Sequence, residues 1–217
     1  MKKIGVVLSG CGFRDGSEIH EAVCALLAID QAGAEAVCIA PDIELNEMNH
    51  CSMELTGAKR RVLVESARIA RGKIKNISEV KAADLNALVF PGGFGAALNL
   101  CDFGQKGAAA SVNPEVARLT QEIHAAGKPI GAICIAPALI AAILGKEAHP
   151  ILTIGTDSGT AAEVEKTGAK HQDCLATEIV IDQANRIVST PAYMTAGRIS
   201  EVYEGIGKCV KTVVEMA

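Results

Sequence analysis

The chain contains no tryptophan, and aromatic residues occupy only 3% of its 217 positions. Its core must therefore be built from Ala, Val, Ile and Leu side chains, and the apolar content of 49% supplies enough of them. A chain of this length fits one domain. No internal repeat and no low-complexity segment divides the sequence. We therefore expect residues 1–217 to form a single domain.

An excess of positive charge is also missing, because the formal net charge is −4. Binding to a nucleic-acid backbone needs a basic surface, so we expect no nucleic-acid partner. No apolar run approaches the ~20 residues of a membrane span, so we expect no membrane partner. The apolar run Ile4–Leu8 is too short for the core of a signal peptide and predicts a first strand instead.

The eight cysteines show neither a CxxC pair nor a Cys/His ligand spacing. A zinc site is therefore not expected, and we predict no metal. A chain of this length without a secretory signal is typical of free thiols in a reducing compartment, which predicts a cytoplasmic location. Most of these cysteines are expected to fill the core, and the question is whether one of them is chemically reactive.

Apolar strands alternate with helices along the sequence, and most of the strands lack in/out alternation. This pattern is typical of a parallel sheet that is covered by helices on both faces, so the fold class is α/β. The predicted strands are 3–9, 35–40, 87–90, 130–133, 151–154, 175–182 and 186–190. The predicted helices are 17–31, 61–70, 96–100, 114–127, 135–145, 160–167 and 198–214.

Two segments show no regular pattern. Residues 42–60 are polar and are predicted to be irregular. Residues 103–112 are rich in Gly, Ala and Ser and are predicted to form a mobile loop. In a parallel sheet, functional sites lie at the carboxyl ends of the strands.

Cys134 stands at an abrupt corner between the buried strand 130–133 and the helix-forming series IAPALIAAIL. A residue at such a corner lies close to a helix N-terminus, where free N–H groups favour a negative charge. We therefore expect the thiol to have a low pKa and to react as a thiolate. The alternative is that Cys134 is a small buried hydrophobe.

Gly92 and Gly93 follow another predicted strand. Glycine allows a close backbone approach, so the N–H groups of Gly93 and Ile135 are candidates for an oxyanion hole beside Cys134. The alternative is a tight strand-to-helix turn without a ligand. The Gly10–Gly16 loop resembles a dinucleotide fingerprint, but Asp15 stands where the motif needs glycine, so nucleotide binding is a weak alternative.

Glu18 and Glu21 lie three residues apart in the first turns of the first helix, and so on one face. They either stabilise the helix dipole at a hydrated surface or place one carboxyl beside the thiol. Glu21 is flanked by Ala22 and Val23, which favours its burial. His20 and His171 are the histidines that we consider as accessory groups near the site.

Four segments resemble the ThiJ/PfpI superfamily, and in particular its ElbB-like branch, which is linked to isoprenoid biosynthesis. They are SGCGFRDGSEIHEAV, RVLVESARIARG, PGGFGAALNLCDF and STPAYM, and GAICIAP resembles the nucleophile elbow of the superfamily. The resemblance spans nearly the whole chain. It implies a flavodoxin-like three-layer sandwich, related to class I glutamine amidotransferases, with a mostly parallel central sheet and helices on both faces.

The resemblance also implies roles for individual residues. Cys134 matches the reactive cysteine, Glu21 the glutamate that hydrogen-bonds its sulfur, and Gly93 and Ile135 the oxyanion-hole amides. Peptidase-like members carry His directly after the cysteine and Gly one position further on, where this chain has Ile135 and Ala136. The first departure argues against protease activity.

The implied function is a glutathione-independent, cofactor-free glyoxalase-like activity on a small dicarbonyl substrate, glyoxal or methylglyoxal. By analogy with the superfamily, we also expect a homodimer. Three alternatives stay open: a redox-sensing or stress-protective protein with an oxidisable cysteine, an amidotransferase or peptidase triad that needs a histidine at the Cys134 sulfur, and a structural subunit.

Overall fold

The computed structural model describes residues 1–217. Its eleven strands are β1 (Lys3–Val7), β2 (Glu35–Ala40), β3 (Glu44–Asn49), β4 (Glu54–Arg61), β5 (Ile74–Asn76), β6 (Ala87–Phe90), β7 (Ile130–Ile133), β8 (Ile151–Leu152), β9 (Lys170–His171), β10 (Val180–Asp182) and β11 (Ile187–Thr190). Its eight α-helices are α1 (Ile19–Gln31), α2 (Val62–Ile69), α3 (Phe94–Leu98), α4 (Phe103–Lys106), α5 (Pro114–Ala125), α6 (Ala136–Ala148), α7 (Ser158–Lys166) and α8 (Ile199–Met216).

A seven-stranded sheet runs through the molecule in the order β10-β11-β7-β6-β1-β2-β5. Every neighbouring pair is parallel except β10 and β11, which form an antiparallel hairpin at one edge. The predicted α/β class with a mostly parallel sheet is confirmed. None of the helices combines the length and the apolar character that crossing a membrane requires.

Successive strand residues point to opposite faces of the sheet, and this alternation divides the core in two. In β6, Leu88 and Phe90 belong to one apolar cluster of 28 buried residues, which the helices α5 and α6 cover. Ala87 and Val89 belong to a second cluster of 26 buried residues, which α1 and α8 cover. All four side chains are fully buried, which explains why the sequence of β6 shows no polar alternation.

The ends of the helices follow from local capping. The Glu18 side chain accepts a hydrogen bond from the Glu21 N–H at 2.7 Å and begins α1. Asn113 Oδ1 accepts from the Glu115 and Val116 amides, and Pro114 follows it at the start of α5. These side chains satisfy N–H groups that have no partner within the helix.

The polar segment 42–60 is not irregular, and that prediction is wrong. It contains most of the hairpin β3–β4, which forms a separate two-stranded sheet. Ion pairs connect its two strands, including Lys59 to Glu44 at 2.9 Å and Arg60 to Glu47. Because most of β4 is exposed, no apolar alternation in the sequence marks it as a strand.

The segment 103–112 also has regular structure, contrary to the predicted loop. Its first seven residues form α4 and a 3₁₀ turn over Gly107–Ala109. Phe103 is buried and anchors α4, and the Glu163 carboxylate accepts a hydrogen bond from the Ala108 amide at 2.9 Å. These long-range contacts have no signature in the small-residue composition of the segment.

The predicted strand 151–154 shortens to β8, which pairs with β9 outside the main sheet. The edge strand β5 is only three residues long and is absent from the predicted strands. The predicted helix 96–100 lies two residues earlier, as α3. The predicted strands 175–182 and 186–190 correspond to the shorter strands β10 and β11, which pair as an antiparallel hairpin.

Candidate active site

Four adjacent parallel strands, β11, β7, β6 and β1, end at the same edge of the sheet. The residues that follow them therefore meet there: Tyr193 after β11, Cys134 after β7, Gly92 and Gly93 after β6, and the loop that leads into α1 after β1. This is the edge at which open α/β sheets bind ligands. The segments that the sequence marked as candidates are thus brought together by the topology of the sheet.

Cys134 forms the corner between β7 and α6. Its φ of 62° lies in the left-handed region, which is strained for a residue with a side chain. Its backbone N–H donates to the Thr190 carbonyl at 2.9 Å, so the corner is held by the neighbouring strand. The residue exposes 7% of its surface and lines a cleft of about 1080 Å³. Its sulfur is therefore set at the floor of a cavity.

The glycines after β6 allow Glu21 and the cysteine corner to approach each other. A methyl group on Gly92 would lie 2.6 Å from Glu21 Oε2 and would overlap Cβ of Cys134. Gly93 has a φ of 89°, and a side chain there would collide with the backbone of Gly16 and Glu18. Both positions therefore require glycine.

Glu21 is fully buried beneath this corner, with 0% of its surface exposed. Its Oε2 accepts a hydrogen bond from the Gly92 amide at 2.9 Å, and its Oε1 accepts one from the Tyr193 amide at 3.3 Å. It also forms a hydrogen bond with the Cys134 side chain. Burial raises the pKa of Glu21 from an ordinary value of 4.5 to about 8, and these hydrogen bonds oppose the rise.

The expected low pKa of Cys134 is wrong. Burial raises the pKa of this thiol well above its ordinary value, and the adjacent charge and hydrogen bond of Glu21 add to the rise. Hydrogen bonding by the backbone N–H groups of Gly93 and Ile135 favours the thiolate and opposes the rise in pKa. The helix N-terminus predicted from the sequence is present, but desolvation and a neighbouring acid outweigh it. The pair therefore holds protons on both groups at neutral pH.

The other polar residues line the open side of the cleft. Glu18 and His20 both lie there, with His20 Nδ1 4.0 Å from Glu18 Oε1. His20 Nδ1 is hydrogen-bonded to the Tyr193 hydroxyl at 2.8 Å. No histidine contacts the Cys134 sulfur, so the geometry that a cysteine–histidine triad needs is absent.

His171 does not line the cleft. It lies in β9, where its buried ring accepts a hydrogen bond from the Ile154 amide at 3.3 Å through Nε2. Its position ahead of the predicted strand 175–182 favours a loop that folds over the carboxyl edge of the sheet. The pairing of β8 with β9 takes it into a second small sheet instead.

The sequence did not identify several apolar residues that line the cleft: Phe13, Phe94, Phe103, Tyr193 and Met194. Their signal is compositional, since aromatic side chains are scarce in this chain and four of them occur here. Nowhere in the chain do three or more His, Cys, Asp or Glu side chains group in a way that could hold a metal ion.

No family model matches the chain. It is 43% identical to the rat "ES1 protein homolog, mitochondrial" over 226 aligned residues, which cover 99% of this chain and 84% of the relative. It is 42% identical to the human "Glutamine amidotransferase-like class 1 domain-containing protein 3, mitochondrial", with coverage of 99% and 83%. An Ehrlichia chaffeensis structure titled as an isoprenoid biosynthesis protein with an amidotransferase-like domain superposes with a TM-score of 0.94 at 37% identity, covering 100% of this chain and 99% of that one.

More distant structures share the fold alone. Drosophila melanogaster DJ-1beta superposes with a TM-score of 0.58 at 18% identity, over 100% of this chain and 95% of that one. The sheet and the cysteine corner define a protein of the amidotransferase-like and DJ-1 structural class. Within that class, the chain belongs to the family of the ES1 proteins and the glutamine amidotransferase-like class 1 domain-containing proteins.

Replacing Glu21 with Gln is expected to change how stability depends on pH. The raised pKa means that the folded chain keeps the Glu21 proton between about pH 4.5 and 8, while the unfolded chain releases it. The contribution of this group to stability is full below pH 4.5 and is lost as the pH rises through 8. The unfolding free energy of Glu21→Gln, relative to the wild type, should therefore rise by up to about 1.4 kcal/mol per pH unit in this window.

Urea unfolding at half-unit steps from pH 5 to 8 measures this difference. Glu47→Gln serves as the control, because Glu47 is a carboxyl on the β3–β4 hairpin whose pKa is lowered rather than raised. A constant difference between Glu21→Gln and the wild type across the window would show that Glu21 ionises normally.

Proposed function

We propose that this protein is a glutathione-independent glyoxalase-like enzyme of the ElbB-like branch, which converts a 2-oxoaldehyde to a 2-hydroxy acid through Cys134. One observation carries the proposal: a strained corner sets a cysteine sulfur at the floor of a cleft, against two backbone amides and a buried glutamate of raised pKa. A carboxyl with a pKa near the working pH is suited to move protons.

The first step forms a bond between the Cys134 sulfur and the aldehyde carbon of the substrate. The thiol proton passes to the carboxylate form of Glu21, and the aldehyde oxygen gains the electron pair of its C=O bond. The backbone N–H groups of Gly93 and Ile135, which favour a negative charge at the sulfur, also stabilise this oxyanion, and Glu21 returns its proton to it to give a hemithioacetal. Because the pKa of Glu21 is about 8, the reactive form becomes more abundant as the pH rises through neutrality.

The second step moves hydrogen between the two carbonyl carbons. Glu21, again a carboxylate, takes a proton from the former aldehyde carbon, and the electron pair of that C–H bond forms the C=C bond of an enediolate with the adjacent carbon. Glu21 then returns this proton to the adjacent carbon, and the hydroxyl proton of the hemithioacetal passes to the second oxygen. These transfers give a 2-hydroxy thioester. Water then breaks the C–S bond, which releases the acid and restores the thiol. One carbon is oxidised while its neighbour is reduced, so no external oxidant is consumed.

Two side chains on the open side of the cleft support the second step. His20 and the Tyr193 hydroxyl form a hydrogen-bonded pair there, with Glu18 next to His20. Glu21 is buried and does not line the cleft, so it can exchange protons with the substrate only next to the Cys134 sulfur. In this proposal, His20 and Tyr193 hydrogen-bond the oxygen of the second carbonyl, and Glu18 orients His20.

Cys134→Ser should abolish turnover of glyoxal and methylglyoxal, a loss of at least 100-fold in kcat, while the circular dichroism spectrum is unchanged. The reason is that a serine hydroxyl is not ionised by a carboxyl of pKa about 8. Product formation is measured as glycolate or lactate by chromatography. Cys51→Ser, at an exposed free cysteine outside the cleft, is the control and should keep full activity. Full activity in Cys134→Ser would remove this residue from the mechanism.

The alternative proposal is a redox-sensing or stress-protective protein. A protonated Glu21 and the amides of Gly93 and Ile135 are all donors that would hydrogen-bond the oxygens of an oxidised Cys134 sulfur. The raised thiol pKa counts against rapid oxidation, because the thiolate is the form that reacts. Wild-type turnover below ~0.1 s⁻¹, combined with selective formation of sulfinate at Cys134, would favour this alternative.

We also propose that the protein forms a homodimer through α1 and α8. Ile19, Val23 and Leu27 recur at a spacing of four residues and form an exposed apolar stripe along α1. Ile199 and Tyr203 extend it on the neighbouring α8. A stripe that runs along one helix can pack against its own copy across a two-fold axis.

Val23→Glu should convert the dimer to a monomer, because it places a charge at the centre of this stripe. Multi-angle light scattering after size-exclusion chromatography measures the mass. Val64→Glu, at an exposed valine on α2 outside the stripe, is the matched control and should remain dimeric. A wild-type protein that is monomeric at 100 µM, or a Val23→Glu variant that stays dimeric, contradicts the proposed interface.

We propose a reducing compartment for the protein. All eight cysteines are free, which fits both the cytosol and the interior of mitochondria. The names of the curated relatives describe those proteins as mitochondrial, so they do not support a plainly cytoplasmic location.

A further inference from the structure

The cleft above Cys134 gathers most of the aromatic residues of the chain. The sequence contains four phenylalanines and two tyrosines. Phe13, Phe94, Phe103 and Tyr193 line the cleft, which leaves only Phe90 and Tyr203 elsewhere. These four residues come from four separate segments: the loop after β1, α3, α4 and the turn after β11. The core of the protein is therefore mainly aliphatic, and most of the aromatic side chains lie around the Cys134 sulfur.

Two of these rings are left open to the cleft. Phe13 exposes 38% of its surface and Phe94 exposes 44%, whereas Phe90 in the core exposes none. Exposed apolar surface in a concave site marks a place where an apolar group binds. The guanidinium of Arg14 lies 4.6 Å from the ring centroid of Phe94 and restrains it by a cation–π contact. This contact holds the Phe94 ring in its exposed position instead of allowing it to pack against the protein.

The size of the cleft does not match a two-carbon substrate. Its volume of about 1080 Å³ slightly exceeds the ~300–1,000 Å³ typical of pockets for drug-sized ligands. Glyoxal is only a few times larger than a water molecule, whose share of liquid volume is about 30 Å³. Glyoxal or methylglyoxal would occupy the corner next to Cys134 and leave the aromatic rings in contact with water.

The charges of the cleft argue against an anionic substrate. Glu18, Asp157 and Glu163 line it, and Lys106 is the lining ammonium group. Lys106 Nζ is already paired with Asp102. Asp157 caps α7 and Glu163 pairs with Lys166, so neither is free to bind a cation tightly. With the guanidinium of Arg14 beside Phe94 included, a phosphate or carboxylate on the substrate would meet three carboxylates and two cations.

We propose that the preferred substrates of this site are uncharged 2-oxoaldehydes that carry an aromatic or bulky apolar group on the ketone carbon. The dicarbonyl end reacts at Cys134, and the apolar group lies against Phe94 and its neighbours in the cleft. The product is the matching 2-hydroxy acid, mandelate in the case of phenylglyoxal, by the same redox-neutral steps. This inference rests on the proposed glyoxalase-like function for its reaction, but the binding preference is separable from it.

The first test compares kcat/KM for three 2-oxoaldehydes: phenylglyoxal, methylglyoxal and 4-carboxyphenylglyoxal. Phenylglyoxal should exceed methylglyoxal by at least tenfold, and the carboxylate should remove most of that advantage. Phe94→Ala should lower kcat/KM for phenylglyoxal about tenfold and change that for methylglyoxal less than twofold. Leu175→Ala, at an exposed apolar residue outside the cleft, should change neither. Equal or lower kcat/KM for phenylglyoxal than for methylglyoxal overturns the proposal.

The second test measures binding without turnover. Acetophenone and acetone are unreactive ketones that differ by the aromatic ring, and each is added at equal concentration during alkylation of Cys134 by iodoacetamide at pH 9. Peptide mass spectrometry reports the modification of Cys134 separately from that of exposed Cys51. Acetophenone should slow alkylation of Cys134 at least fivefold more than acetone, and Phe94→Ala should abolish the difference.

These two tests separate the two proposals. If no 2-oxoaldehyde is turned over but acetophenone protects Cys134, the glyoxalase-like function fails and the apolar binding site stands. If turnover depends on Cys134 but phenylglyoxal has no advantage and acetophenone gives no added protection, the function stands and the substrate class is wrong.

Discussion

The site depends on the contact between a buried carboxyl and a cysteine corner that Gly92 allows. Any side chain at Gly92 would separate Glu21 from Cys134, because its first carbon would overlap both. The contact connects α1, on one side of the sheet edge, with the start of α6 after β7. It also brings together the loops after β6 and β11, since the amides of Gly92 and Tyr193 both donate to the Glu21 carboxyl.

This contact determines the charge state of the site. Burial disfavours the ionised forms of both Glu21 and Cys134. The charge of Glu21 further raises the pKa of Cys134, and the charge of Glu18 further raises the pKa of Glu21. The amides of Gly93 and Ile135 act in the opposite direction and lower the cost of a charge at the sulfur. In the neutral pair, the Cys134 thiol can pass its proton only to Glu21. This arrangement suits a thiolate nucleophile that forms when a substrate is present. A permanently ionised thiolate would be open to indiscriminate oxidation.

The sequence predicted those features that rest on local patterns. The apolar strands around Ile130–Ile133 and Ala87–Phe90, the Asn113-Pro114 helix start and the sharp corner at Cys134 each have a signature within a few residues. The hairpin β3–β4 lacked one, because ion pairs rather than apolar burial hold it. His171 lies in β9, and its position follows from the pairing of β9 with β8. That pairing is a long-range contact, which local sequence patterns do not reveal.

The thiol pKa and the lining of the cleft could not be predicted from the sequence for a similar reason. A helix N-terminus is visible in the sequence and predicts a low pKa, but the extent of burial around Cys134 is a property of the packed structure. Phe13, Phe94, Phe103 and Tyr193 are far apart in the chain and become neighbours only through the order of the strands. Only their scarcity was visible beforehand.

Carbon NMR can report directly whether Glu21 keeps its proton beside Cys134 at neutral pH. Protein labelled with ¹³C at the glutamate carboxyl carbons is titrated from pH 4 to 10, with the Glu21 resonance assigned by its loss in Glu21→Gln. The carboxyl should remain in the acid form at pH 6 and titrate with a midpoint near 8. A midpoint at or below the ordinary value of 4.5 would contradict the account.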